Sequence, residues 1–560
     1  MSLDKTNKNT KEAFIVSYKA AVKAKLTREQ FAQMLNVKAD SLVRRRLAIF
    51  KETGLNLPML VSEEDSQLTQ DVINKFNASI KHPIDDIPST IELDKTKKIF
   101  VITSAQNATP IHEGFFSTIL NYCEHRDAQL VVVPNRYKNP TSIWTVNDEG
   151  DDWWDSKLTP YLCSEDIRLT KSLRIMGHIK IQPTAEKPLS GFDSYTGVDS
   201  AVFGHPKVQL KTVATPSKTL PKLLTTTGSV TISNYTDSKA GWKADFHHSI
   251  SAVVVEIDDD GAFHLRHIHA DEVTGHFYDL YKYYATNEIH DSKRVRALVT
   301  GDTHAEFIDQ DVLNATYLDD DSITNMLCPE HIVFHDITDF FARNHHEMLN
   351  DVSNIGKHRY GRNNVEEGLQ AAADFIDMVS KDDTLNVITK SNHDEAFDRW
   401  LRTAEPKDDP ENAQFYHYMK WNQYKNVAIN DTGFESIDPF EFWCKNPEKQ
   451  RGLKNVENTK FLTRGESFVI DNVELGFHGD LGINGARGSA ASFAKISQKN
   501  IIGHGHYPEI FEGCYRVGVS ARLDLAYQKG QCSNWLHTHA IIYPDGKRTL
   551  INVINGKWKI

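Results

Sequence analysis

From about residue 293 to the C-terminus, short apolar runs lead into polar loops rich in Asp, His or Asn. The clearest cases are residues 297–300 running into GDTH, 332–334 into HDITD, 385–389 into KSNHD, 473–477 into HGD and 500–502 into GHGH. Each run has the length and β-branched content of a buried strand. The N-terminal pattern is different. Phe14, Val16, Ala20 and Ala21, then Phe31 and Leu35, then Leu42, Val43, Leu47 and Phe50 recur at helical spacing, which predicts helices over 11–53. Thr27 with Gln30 three residues on has the capping-box pattern, and Gly54 followed by Pro58 marks the stop.

These patterns divide the chain into a helical module at 1–54, a polar linker at 55–96, an α/β region at 97–292 and a strand-and-loop unit at 293–560. In the 97–292 region, strands are predicted at 98–103, 130–134, 175–181, 228–233, 252–257 and 263–267, with a helix at 114–125. An aromatic and charged insertion at about 395–465 reads as helical, and is a candidate lid or homo-oligomer interface. Pro544-Asp545-Gly546 marks a hairpin near the end. The fold class is α/β.

A length of 560 residues exceeds what one core supports, so two to four domains are expected. No stretch approaches the roughly 18 apolar residues that would span a bilayer, and the first residues lack an apolar signal core. The reading is a cytoplasmic protein with no membrane partner. The six cysteines are scattered singly, which argues against both a disulfide framework and a thiolate zinc site. The net charge of −12 argues mildly against a nucleic-acid partner, but it is unevenly spread. Residues 1–54 carry twelve Lys/Arg against five Asp/Glu, a net of +7, leaving −19 for the rest.

The loops after the apolar runs hold carboxylate oxygen, amide oxygen and imidazole, the donors that hard and borderline cations take. In order they are Asp302/His304, Asp336/Asp339, Asn392/His393/Asp394, His478 and Gly503/His504/Gly505/His506. A single D-x-H motif would be unremarkable among 25 histidines. Five blocks in this order resemble the signature of the calcineurin-like metallophosphoesterase superfamily, over about 260 residues from Thr300 onward. That resemblance implies a β-sandwich flanked by helices and two divalent cations, manganese first and magnesium as the alternative. Asp302, His304 and His506 would hold one cation, Asn392, His478 and His504 the other, and Asp336 would bridge them. His393 would stand at the scissile phosphate, with Asp394 orienting it and Asp339 behind the ligands. The chain departs from the family pattern at His335 and Ser391, where glycine is usual.

Three further features surround this set. Arg487, in the glycine-rich stretch after His478, is a candidate phosphate clamp, set against a plain flexible loop. His345-His346 and His537-x-His539 look like metal pairs but have no place in the pattern, and read as surface or near-site histidines. Residues 27–51 resemble a helix-turn-helix, whose recognition helix would present Ser41, Arg44, Arg45, Arg46 and Lys51 to DNA. The whole chain is similar to the pre-early nucleases of Tequintavirus-type coliphages. This implies a DNase that degrades host DNA in the bacterial cytoplasm. The same residues leave two other readings open: a phosphatase or nucleotidase of the superfamily, and a DNA-binding, transcription-silencing protein.

Overall fold

The computed structural model describes residues 91–136, 153–216, 219–292, 294–344, 347, 350–431, 433–446, 451–525 and 531–560, with scattered positions between 14 and 42. Residues 55–90 of the linker read at 55–96, Ser41, Arg44, Arg45, Arg46, Lys51 and the pair His345-His346 lie outside the described residues. Within the N-terminal module, Phe14, Tyr18 and Phe31 are buried against one another, with ring centroids 5.6–6.3 Å apart.

The chain folds as mixed α/β. One six-stranded sheet has the order Thr459–Phe461, Leu385–Ile388, His331–Phe334, Ala297–Val299, Thr538–Ile542, Arg548–Asn552. Its first four strands are parallel, and the last two form an antiparallel hairpin around Pro544-Asp545-Gly546. Alternation along each strand sends successive residues to opposite faces. Leu298, Ile332, Ile388 and Ile541 face one core, while Val299, Val333, Val387 and Ile542 face another. On the first face pack the helices Val365–Val379 and Asp394–Thr403. The former is capped by the Asn364 side chain and buries Leu369, Ala372, Ala373, Phe375 and Ile376 on one stripe.

The second face packs against a ten-stranded sheet. That sheet crosses the sequence boundary read at 292/293. Glu509–Phe511 pairs antiparallel with Gln209–Val213, joining strands from 469–516 to strands from 166–226. A four-stranded sheet built on Ile99–Gln106, Gln129–Asn135, Ser251–Ile257 and Phe263–His269 contributes Ile102, Val131, Val253 and Leu265 to the same core. The helix Glu113–His125 covers its other face.

Two strand predictions need correction. Residues 228–233 make only isolated bridges, through Gly228, Ser229 and Thr231, and do not form a ladder. The strand predicted at 175–181 is Leu173–Met176. It ends at Gly177, where a Cβ would sit 2.4 Å from the Glu165 carbonyl. The strands Ser200–Phe203, Gln209–Val213 and Lys222–Thr226 were not predicted. The insertion is helical at Asp394–Thr403, Ala413–Lys425 and Pro439–Lys445, and also carries an exposed hairpin, Ala428–Asn430 with Gly433–Glu435. All six cysteines are free thiols. Among the described residues, no helix is long and apolar enough to cross a membrane.

Candidate metal centre

The loops that leave the two stacked sheets at one edge are tied to each other through their backbones. After Ala297–Val299 the chain passes the 518–519 backbone at Gly301, where a Cβ would lie 2.8 Å from Val519. The amide of Gly301 donates to Nδ1 of His539 (3.0 Å), whose Nε2 meets Thr316. His537 bonds the Ala521 carbonyl. Both histidines are therefore buried scaffold outside the ligand set, and not the surface residues that the sequence allowed. The amides of Thr303 and His304 donate to the carbonyls of His335 and Asp336 (2.9 and 2.7 Å), binding the first loop to the second.

The sharp bends fall on the ligand candidates themselves. His304, Asp336, His504 and His506 have φ of 44°, 45°, 67° and 60°. Left-handed backbone at a non-glycine residue costs of order 1–3 kcal/mol and gathers at functional sites. This explains how the second loop turns without glycine before the aspartate: Asp336 takes the left-handed conformation. His335, which stands in place of that glycine, is buried, with Nδ1 3.4 Å from Nδ1 of His478. It supports His478 from behind, a role the sequence did not signal. Ser391, at the other departure, uses both its amide and its hydroxyl to bond Asp394.

The side chains converge. His304 Nε2 and His506 Nε2 are 3.2 Å apart, and His506 Nε2 is 3.2 Å from Asp302 Oδ2. Asp336 Oδ2 is 3.7 Å from His304 Nε2 and 3.3 Å from His478 Nε2. Two potential ligand triads result, His304–Asp336–His506 and Asp336–His478–His504, each with its donor atoms within 4.8 Å of one another. Asp336 belongs to both. A third group, His304–Asp339–His393, lies alongside. Trp535 packs edge-on against His506, with centroids 4.3 Å apart, and was also not foreseen.

Among the buried atoms without a hydrogen-bond partner are several that a cation would take. They include Asp302 Oδ2, both oxygens of Asp336, Asn392 Oδ1 and His478 Nε2. Leaving such groups unmet costs about 1–3 kcal/mol each, more when charged, so this donor set fits divalent metal.

The electrostatics follow from burial. Desolvation, reinforced by the Asp336 charge, holds Asp302 well above the usual carboxylate range. Burial pushes His304 down to about 3 and His504 to about 4. At His478 burial acts downward but is outweighed by Asp336, lifting it to about 9. At His393 the charges of Asp336 and Asp339 likewise overcome burial and raise it.

One expected partner is corrected. Asp394 does not reach His393: its Oδ1 accepts from the Thr338 hydroxyl (3.0 Å) and its Oδ2 from the Ser391 hydroxyl (2.8 Å), which locks the two loops together. His393 instead donates from Nδ1 to the Asp339 carbonyl (3.1 Å), with the Asp339 carboxylate 3.9 Å away. Asp339 also lies 3.8 Å from Nδ1 of His304, so it backs both imidazoles. Arg487 is exposed, on a loop closed by a bridge to Leu481.

Gly503 carries a testable constraint. A Cβ there would lie 2.3 Å from Asp302 Oδ1, which itself accepts from the His504 amide. Gly503→Ala is expected to lose about 1–3 kcal/mol of stability and to weaken metal uptake, read by denaturant unfolding and manganese titration. Unchanged values in both would show that the loop has room to spare.

Comparison with known proteins gives one informative relative. The chain is 34% identical over 487 residues to "Protein A1" of Escherichia phage T5, covering 84% of this chain and 85% of that protein. No family model matches the chain, and no solved structure matches it.

Proposed function

As the chain belongs to the family of Protein A1 of Escherichia phage T5, we propose that it is a phage metallophosphoesterase that hydrolyses phosphodiester bonds in DNA in the host bacterial cytoplasm. The observation that carries this reading is the pair of triads sharing Asp336, with unpartnered donor atoms facing inward. Two stacked sheets with helices outside, and ligands on the loops at one edge, agree with the metallophosphoesterase fold. Asp302, His304 and His506 would hold one cation, and Asn392, His478 and His504 the other, with Asp336 common to both. When bound, a pair of manganese or magnesium ions neutralises phosphate charge and makes water nucleophilic at neutral pH.

The protein groups do the rest. His393 has Nδ1 engaged by the Asp339 carbonyl, so Nε2 is the nitrogen that can give a proton to the leaving oxygen. The nearby carboxylates keep His393 protonated to higher pH than an ordinary imidazole, which suits a general acid. The +7 charge of residues 1–54 supports DNA as the substrate, since cationic segments supply the sequence-independent part of DNA affinity.

The direct test is duplex DNA with manganese, with and without EDTA. Chelator-sensitive loss of DNA is the expected result. Phosphate release from monoesters with diesters untouched would make the chain a phosphatase of the same chemistry. DNA binding without any hydrolysis would favour a silencing protein.

The ligand protonation sets a pH dependence. Metal binding requires neutral His478 and ionised Asp302. His478 sits at about 9 and Asp302 above its usual range in the metal-free protein, so protons must leave both. Manganese affinity is therefore expected to rise with pH through the neutral range toward about 9, with proton release visible by calorimetry in buffers of differing ionisation heat. An affinity flat from acid to alkaline pH would rule this coupling out.

A further inference from the structure

Away from the ligands themselves, one side chain joins two of the loops that carry them. Arg464 follows the strand Thr459–Phe461 at the edge of the six-stranded sheet. Its Nη1 donates to the carbonyl of Lys390 (3.0 Å), two residues before Asn392. The same nitrogen and Nη2 both donate to the Asp480 carboxylate, two residues after His478. Glu395, on the first turn of the helix that begins at Asp394, lies 3.2 Å from Nε and from Nη2. Asp480 is largely buried, so this fork is shielded from solvent and less weakened than a surface ion pair.

The Lys390 loop is held from its other side as well. The Lys390 ammonium reaches Asp398 (3.2 Å) and Asp438, and Asp438 caps the helix Pro439–Lys445. The Thr389 hydroxyl donates to the Leu475 carbonyl (3.3 Å), closing the gap between the Asn392 and His478 loops near the sheet. Arg464 closes the same gap at the outer end. Among the described residues, its hydrogen bonds go to Lys390, Glu395 and Asp480 and not to the loops that carry Asp302, His304 and His506.

We infer that Arg464 is a positioning residue for one cation of the pair: it fixes the spacing between Asn392 and His478, two ligands of the same ion, and leaves the other ion's ligands alone. The inference rests on the two-cation reading above. A planar guanidinium is suited to this because it can meet a carboxylate through two nitrogens and a carbonyl at once, which an ammonium cannot. Losing such a support costs about 10- to 100-fold in metal affinity.

The test is manganese titration of the full-length protein, by calorimetry and by paramagnetic resonance, comparing the native chain with Arg464→Met, Arg464→Lys and Asp480→Asn. The native chain is expected to take two ions and give an exchange-coupled signal. Arg464→Met should keep one binding step, weaken the other by about 10- to 100-fold and replace the coupled signal with that of an isolated ion. Arg464→Lys should recover part of the loss. If Arg464→Met fails to fold, Asp480→Asn removes the other end of the fork and is expected to give the same split. Two unchanged steps in Asp480→Asn or Arg464→Met, or equal weakening of both, would overturn the role of Arg464. A native chain that binds no pair would overturn the two-cation reading itself.

Discussion

Asp336→Asn is expected to abolish both the manganese pair and DNA hydrolysis, a loss larger than the about 100-fold upper cost of removing a supporting partner. Asp336 is the one side chain that belongs to both ligand triads, and its two oxygens are buried without any hydrogen-bond partner. Asparagine has nearly the same shape but one oxygen and no charge, so it cannot bridge. The fold should survive, because the substitution removes a buried charge and adds no volume. The readout is thermal unfolding with and without manganese. At a free metal concentration about 100 times the dissociation constant, each occupied site stabilises the native state by roughly 2.7 kcal/mol. The native chain should gain that stabilisation and Asp336→Asn should lose most of it. A variant that melts and cleaves like the native chain would remove Asp336 from the centre.

His393→Gln is the second large effect, and differs in kind. No triad that shares Asp336 includes His393, so the variant should bind manganese normally while kcat falls about 10²- to 10⁴-fold, the usual worth of a positioned general acid. The leaving group supplies a sharper criterion. If His393 Nε2 protonates the departing oxygen, cleavage of a nitrophenyl phosphodiester, whose leaving group needs no proton, should suffer much less than cleavage of DNA. Equal losses on the two substrates would assign His393 to charge stabilisation instead. Asp339→Asn should depress activity less, since the bond to Nδ1 of His393 comes from the Asp339 backbone carbonyl.

Much of the centre was legible because buried parallel strands read as unbroken apolar runs, and the residue after such a run sits at the sheet edge. The runs ending near Thr300, Phe334, Thr389 and Ile502 correspond to strands in the structure, and the loops after them converge. What stayed hidden is non-local. Gln209–Val213 mixes Gln, Lys and Thr with two apolar residues, and it lies in the large sheet between Lys222–Thr226 and Glu509–Phe511, the latter some 300 residues away. Residues 228–233 have strand-like Val, Thr and Ile, but the left-handed backbone at Gly228 and the close approach of Ser251 restrict them to single bridges.

The partner of His393 was misassigned because Asp394 is adjacent in sequence. A residue that opens a helix points away from its neighbour, and Asp394 turns to Ser391 and Thr338 instead. His335 stood out only as a replacement for glycine, and Trp535 and Arg464 carried no signal, since each acts through contacts made only when distant loops meet.

The central claim is a pair of cations on either side of Asp336. Crystals of the native protein soaked in manganese, with anomalous scattering recorded, address it most directly. The account predicts two peaks about 3.5–4 Å apart, one among Asp302, His304 and His506, the other among Asn392, His478 and His504. A single peak, or none near Asp336, would contradict it.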